Sequence, residues 1–159
     1  MIGRKSTDVI TVKDVPADEF IKCYADHLKK SNDLPLIENH FFIKTGFSRE
    51  ISPHDDDWFY TRAAALARKI YLRPNLGVGT LQHIYGKCGR YGHKKNHHTR
   101  GSGKIIRYIL RSLEDIGILM RYNDPKNKGI DIEEIDTTDV NYPRVISPKG
   151  QKTLNEIAK

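Results

Sequence analysis

Twelve lysines and arginines, and not one aspartate or glutamate, fall in the 56 residues from Trp58 to Leu113. They are Arg62, Arg68, Lys69, Arg73, Lys87, Arg90, Lys94, Lys95, Arg100, Lys104, Arg107 and Arg111. The whole chain has 27 basic and 20 acidic residues, so the remainder is net acidic. Charge of one sign destabilises a compact state by self-repulsion unless a counter-charge is supplied, and a polyphosphate backbone supplies it. Arginine outnumbers lysine seven to five in the stretch, and its planar fork matches phosphate oxygens. Seven of the chain's 12 glycines lie between Gly77 and Gly103, which allows close backbone approach to phosphate. Tyr91, His93, His97 and His98 are interleaved with the cations. Two basic helices and a basic loop suit a folded RNA read by shape better than a DNA duplex.

Other chemistries fit worse. Cys88, His93, His97 and His98 form a Cys-x4-His-x3-His cluster, but the second cysteine of a structural zinc site is missing, so no metal is expected. Asp55-Asp56-Asp57 could bind Mg²⁺, yet carboxylates before an apolar run read first as a helix start with a capping side chain. Gly77-Val78-Gly79 lacks a third glycine and a Lys-Ser pair, so it is turn material. With no hydrolase elbow, Walker loop or zincin motif, neither catalysis, a cofactor nor a small-molecule substrate is expected. Cys23 and Cys88 make no disulfide framework, so a reducing compartment is the default. The sequence has no 18-residue apolar run and no apolar leader, so no membrane association is expected.

The elements that must position these cations follow from periodicity. Residues 9–12 read as extended. Asp14 and Pro16 start a helix carrying Phe20, Tyr24, Ala25 and Leu28 at helical spacing. Residues 34–50 are ambiguous, with room for one more short helix. From Trp58 to about Leu72 a helix roughly 22 Å long is apolar on nearly every side, the mark of a central buried helix. Its one polar strip is cationic: Arg62, Lys69 and Arg73 fall within about 40° of each other, while Arg68 points elsewhere, to RNA or to a packed carboxylate. Pro74 ends this helix, a short one spans Thr80–Tyr85, and residues 86–103 read as a long flexible loop, ordered only on RNA. Ser102 caps a helix to about Ile116 whose core arc of Ile105, Ile106, Ile109, Leu110 and Leu113 opposes the stripe Lys104, Arg107, Arg111. Gly117 stops it. Strands at Ile118–Tyr122 and Arg144–Ile146 flank an acidic insertion at about 123–141, and Ser147-Pro148 opens a last helix. The order helix, strand, long tip, strand, helix is that of a winged-helix module within a single domain, residues 1–159.

Several motifs carry a resemblance. They are Asp57-Trp58-Phe59-Tyr60-Thr61-Arg62-Ala63-Ala64, Tyr71-Leu72-Arg73, Gly77-Val78-Gly79, Ile84-Tyr85-Gly86, His98-Thr99-Arg100-Gly101-Ser102 and Ser147-Pro148-Lys149-Gly150-Gln151. In order and spacing they resemble the family-nineteen protein of the small ribosomal subunit, of the eukaryotic and archaeal type and not the bacterial protein of that number. The resemblance implies a mainly α, winged-helix-like bundle around a central helix, with a β-hairpin wing. It implies a structural role in the head of the small subunit, bound to rRNA and beside neighbouring proteins. It also implies a part in maturation of the rRNA precursor, with cytoplasmic ribosomes as the location and the nucleolus during assembly in a eukaryote. Arg62, Arg68 and Arg100 stand at the family's sensitive basic positions. Three departures matter: residues 34–46 lack the tryptophan-containing version of that segment, the wing carries the acidic run, and no basic tail follows Lys159. Two rival readings remain, a winged-helix DNA-binding regulator and a protein-interaction module built on the acidic wing. Against the first, the helix 104–111 has no Asn or Gln to read bases.

Overall fold

The computed structural model describes residues 10–90, 92–121 and 142–158, and the acidic insertion lies outside them. The chain is mainly helical, with two small antiparallel hairpins, an arrangement consistent with a winged-helix-like fold. Helix α1 (Ala17–Ser31) places Asp18 and Glu19 in its first turn and Lys29 and Lys30 in its last, matching the helix dipole. It ends at Asn32, which takes the left-handed conformation at φ 57°. Residues 11–14 are not extended: the Asp14 carboxylate accepts from both the backbone N–H and the hydroxyl of Thr11 and closes a turn. The ambiguous stretch after α1 holds only a 3₁₀ turn, His40–Phe42.

Helix α2 (Trp58–Leu72) is the centre of the molecule. Phe59, Ala63, Leu66, Ala67 and Ile70 have at most 1% exposure, and Trp58, Tyr60 and Ala64 are buried on its other sides. Its alanines let α1 and the later helix α4 (Gly103–Asp115) approach on different faces. Of the carboxylates at its start, Asp55 Oδ1 accepts from the Asp57 N–H at 3.1 Å, while Asp57 itself makes no side-chain cap. Asp57 instead points at α1, where its Oδ2 accepts from Lys29 Nζ at 2.6 Å.

Helix α3 (Val78–Ile84) begins two residues before the expected start. The loop expected over 86–103 contains a hairpin: strands β1 (Lys87–Gly89) and β2 (His97–Thr99) pair antiparallel with Lys87 opposite Thr99 and Cys88 opposite His98. A Cβ at Gly86 would lie 2.3 Å from the Thr99 carbonyl oxygen, so glycine permits the close approach at the hairpin's base. The Lys87 carbonyl accepts from the hydroxyls of Thr99 and Ser48, tying the hairpin to residues 45–48. Ser102 is not a side-chain cap, and its backbone N–H donates to the Thr45 carbonyl.

Helix α4 buries Ile105, Ile106, Ile109, Leu110 and Leu113, as its periodicity requires. Gly117, at φ 82°, turns the chain into β3 (Leu119–Arg121), which pairs with β4 (Arg144–Ile146) in the register Leu119–Ile146 and Arg121–Arg144. Helix α5 (Pro148–Ile157) is capped as expected: Ser147 Oγ accepts from the Gly150 N–H and donates to the Gly117 carbonyl at 2.6 Å. At the wing base Arg144 is fully buried. Its Nε donates to the Glu114 carboxylate, and its guanidinium lies 4.5 Å over the Tyr142 ring.

Candidate nucleic-acid interface

The charge pattern of the middle third survives folding. Two ion pairs form among the described residues, Lys29–Asp57 and Arg144–Glu114, and neither uses any of the twelve cations. Eight of the twelve are exposed: Arg73, Lys87, Arg90, Lys94, Lys95, Arg100, Lys104 and Arg111. Arg62, Arg68, Lys69 and Arg107 are half-buried. Among the described residues Arg68 has no carboxylate partner, and its buried Nε has no acceptor.

The cations divide by position. Arg90, Lys94 and Lys95 sit on the tip of the β1–β2 hairpin, and Arg100 follows its second strand. Lys104, Arg107 and Arg111 line α4 as the i, i+3, i+7 spacing requires. Arg107 folds back toward the start of its helix, so a Cβ at Gly103 would meet Arg107 Nη1 at 3.1 Å and Gln82 of α3 at 2.3 Å. The expected α2 strip is shorter than its sequence spacing: Arg73 is the C-cap, at φ −132°, and leaves the helical path. Lys69 and Arg73 therefore stand at the wing end of α2, where the Asn75 N–H donates to the Arg144 carbonyl.

Arg62 and Lys87 do come together. Both line a cleft of about 660 Å³ between α2, residues 45–55 and the hairpin base. There the Arg62 guanidinium lies 4.4 Å over the Tyr85 ring. Burial draws its pKa below the ordinary arginine value; Tyr85 opposes this and Arg49 adds to it. Burial likewise raises the Tyr85 phenol. Sequence reasoning missed Arg49, which sits beside Glu50 outside the acid-free run, and it missed the wall positions of Trp58 and Tyr85. The motifs Asp57-Trp58-Phe59 and Ile84-Tyr85-Gly86 signalled two of these, and nothing signalled Arg49. Among the described residues no three of His, Cys, Asp and Glu gather to hold a metal ion, although the His83 and His98 rings lie 4.4 Å apart.

Residues 11–159 match the family model of ribosomal protein S19e. The chain belongs to the ribosomal protein S19e family. It is 47% identical over 147 residues to small ribosomal subunit protein eS19 of Entamoeba histolytica, covering 92% of this chain and 83% of that one. Against the eS19 of Oryza sativa subsp. japonica identity is 41% over 148 residues, covering 93% and 90%. The eS19B of Schizosaccharomyces pombe is 41% identical over 149 residues, covering 94% and 92%. S19e proteins are structural components of ribosomes and not enzymes, which agrees with the lack of a catalytic constellation in the sequence. Among the described residues no helix is long and apolar enough to cross a membrane.

Proposed function

We propose that the protein is a structural component of the small ribosomal subunit, in its head, where it binds rRNA by neutralising phosphates. The single observation that carries this reading is a set of twelve cations, none ion-paired among the described residues, on helices and a hairpin that share one scaffold. Phosphate contacts come from Lys104, Arg107 and Arg111 on α4, from Arg62, Arg68, Lys69 and Arg73 along α2, and from Lys87, Arg90, Lys94, Lys95 and Arg100 on the hairpin. Counterion release supplies the affinity, and the packed helices fix which RNA segments lie side by side. By holding those segments together the protein supports maturation of the rRNA precursor, subunit assembly and translation, with neighbouring head proteins as its other partners. This places it on cytoplasmic ribosomes, and in the nucleolus during assembly in a eukaryote. The names of the relatives support the small subunit, and the acid-free stretch from Trp58 to Leu113 supports the RNA.

The experiment is sedimentation with purified small subunits, paired with binding to folded rRNA fragments and to duplex DNA of equal length. Co-sedimentation at low salt, stripping at high salt and preference for folded rRNA are the expected results. Equal or tighter binding to the duplex would replace this reading with the DNA-regulator one.

A further inference from the structure

We propose that the cleft between α2, residues 45–55 and the hairpin base receives one unstacked nucleotide of the bound RNA. Its phosphate would lie on Arg49, Arg62 and Lys87, and its base against Trp58 and Tyr85. The proposal rests on the RNA-binding reading above and adds a discrete subsite to a surface otherwise recognised by charge and shape.

Three observations carry it. The cleft, at about 660 Å³, has the volume of a small-molecule site, enough for a nucleoside and its phosphate with solvent to spare. Arg62 is desolvated and faces an aromatic ring instead of a carboxylate, so its N–H donors keep their capacity for an incoming anion. Trp58 and Tyr85 both form part of the wall, so aromatic surface lines the same cleft as the cations.

The rest of the wall selects among anions. Glu50 and Asp55, both exposed, bring two carboxylates to the same cleft. They oppose an acidic peptide, and they can accept from the exocyclic amino groups of a base. A ligand with a phosphate, an aromatic face and amino donors fits all of these groups at once. RNA recognition commonly splays out an unpaired base and stacks it on aromatic or guanidinium planes.

Trp58 is the only tryptophan of the chain and so reports on its own cleft. The test titrates full-length protein with deproteinised small-subunit rRNA while following Trp58 fluorescence and affinity together. Wild type is expected to bind with a change in Trp58 emission. Ala65→Phe fills the cleft from α2 without altering charge. It is expected to keep RNA bound through α4 and the hairpin, lose the Trp58 signal, and weaken affinity roughly tenfold, the value of one stacked base. Arg49→Gln, a half-buried position outside the core, is expected to weaken binding and lower the salt slope by about one. The subsite is overturned if rRNA binds with Trp58 emission unmoved, or if both variants match wild type. It is also overturned if emission changes only when neighbouring proteins are added, since a peptide then fills the cleft. Failure of wild type to bind rRNA at all sinks the RNA reading itself, a result separate from these.

Discussion

At the scale of single residues, two buried polar groups make opposite demands. Tyr24 is fully buried in α1, and its hydroxyl has no partner among the described residues. Leaving such a group unsatisfied costs about 1–3 kcal/mol, so Tyr24→Phe is expected to stabilise the protein by about 1 kcal/mol in urea melts at pH 7. Burial raises the Tyr24 pKa above its ordinary 10.0, so above that pH the unfolded chain loses a proton that the folded chain retains. Its contribution to stability is therefore intact below pH 10 and drains away as the pH climbs further, and Tyr24→Phe should flatten that alkaline loss. Arg144 is the converse case, a buried cation whose orientation is fixed by Glu114 and by the carbonyl and ring of Tyr142. Glu114→Ala strands its charge and is expected to cost about 3–5 kcal/mol, whereas Arg144→Met with Glu114→Leu is expected to recover most of it. Denaturation midpoints of the single and double variants check both statements, and a double variant no better than Glu114→Ala contradicts the account.

At the scale of elements, Gly150 in the first turn of α5 shows how context reverses a propensity. Alanine normally favours a helix over glycine by about 1 kcal/mol. Here a Cβ would stand 2.3 Å from the Ile118 carbonyl oxygen, a backbone atom that cannot move without shifting β3. Gly150→Ala is therefore expected to destabilise by about 1–3 kcal/mol, and a raised melting temperature would refute the close approach. The helices α1, α2, α4 and α5 were legible because apolar residues recur at helical spacing and each helix buries the resulting face. The β1–β2 hairpin was not. Its strands, Lys-Cys-Gly and His-His-Thr, are three residues long and polar, so no alternation marks them. Pairing arises instead from the glycine at its base and the hydroxyls that converge on the Lys87 carbonyl. Asp57 misled for a related reason: a tertiary partner, Lys29, claims the carboxylate that a local reading gives to the helix. In the candidate interface the charges could be read directly from the chain. The cleft could not, because Arg49 on an irregular segment and Tyr85 at the hairpin base meet Trp58 and Arg62 of α2 only through tertiary packing.

At the scale of the whole molecule, the unequal distribution of acids sets how the protein responds to salt. Twelve cations lie in one third of the chain, and none has a carboxylate partner among the described residues. Intramolecular ion pairs would have weakened with salt on their own account, whereas unpaired cations leave the response to the bound polyanion. If about six phosphates are engaged, log affinity for rRNA should fall against log salt with a slope between about −4 and −5. Reversing charge at Lys104, Arg107 and Arg111 together removes three contacts and adds repulsion, so the slope should shrink by at least about two while the fold persists. The fold should persist because Lys104 and Arg111 are exposed, Arg107 is half-buried, and the opposite side of α4 supplies the core. Filter binding across a salt series, with circular dichroism to confirm helicity, measures both quantities. A slope near zero in wild type would mean that contacts other than phosphate hold the RNA. A triple variant that retained the wild-type slope would move the interface off α4 and onto the hairpin and α2.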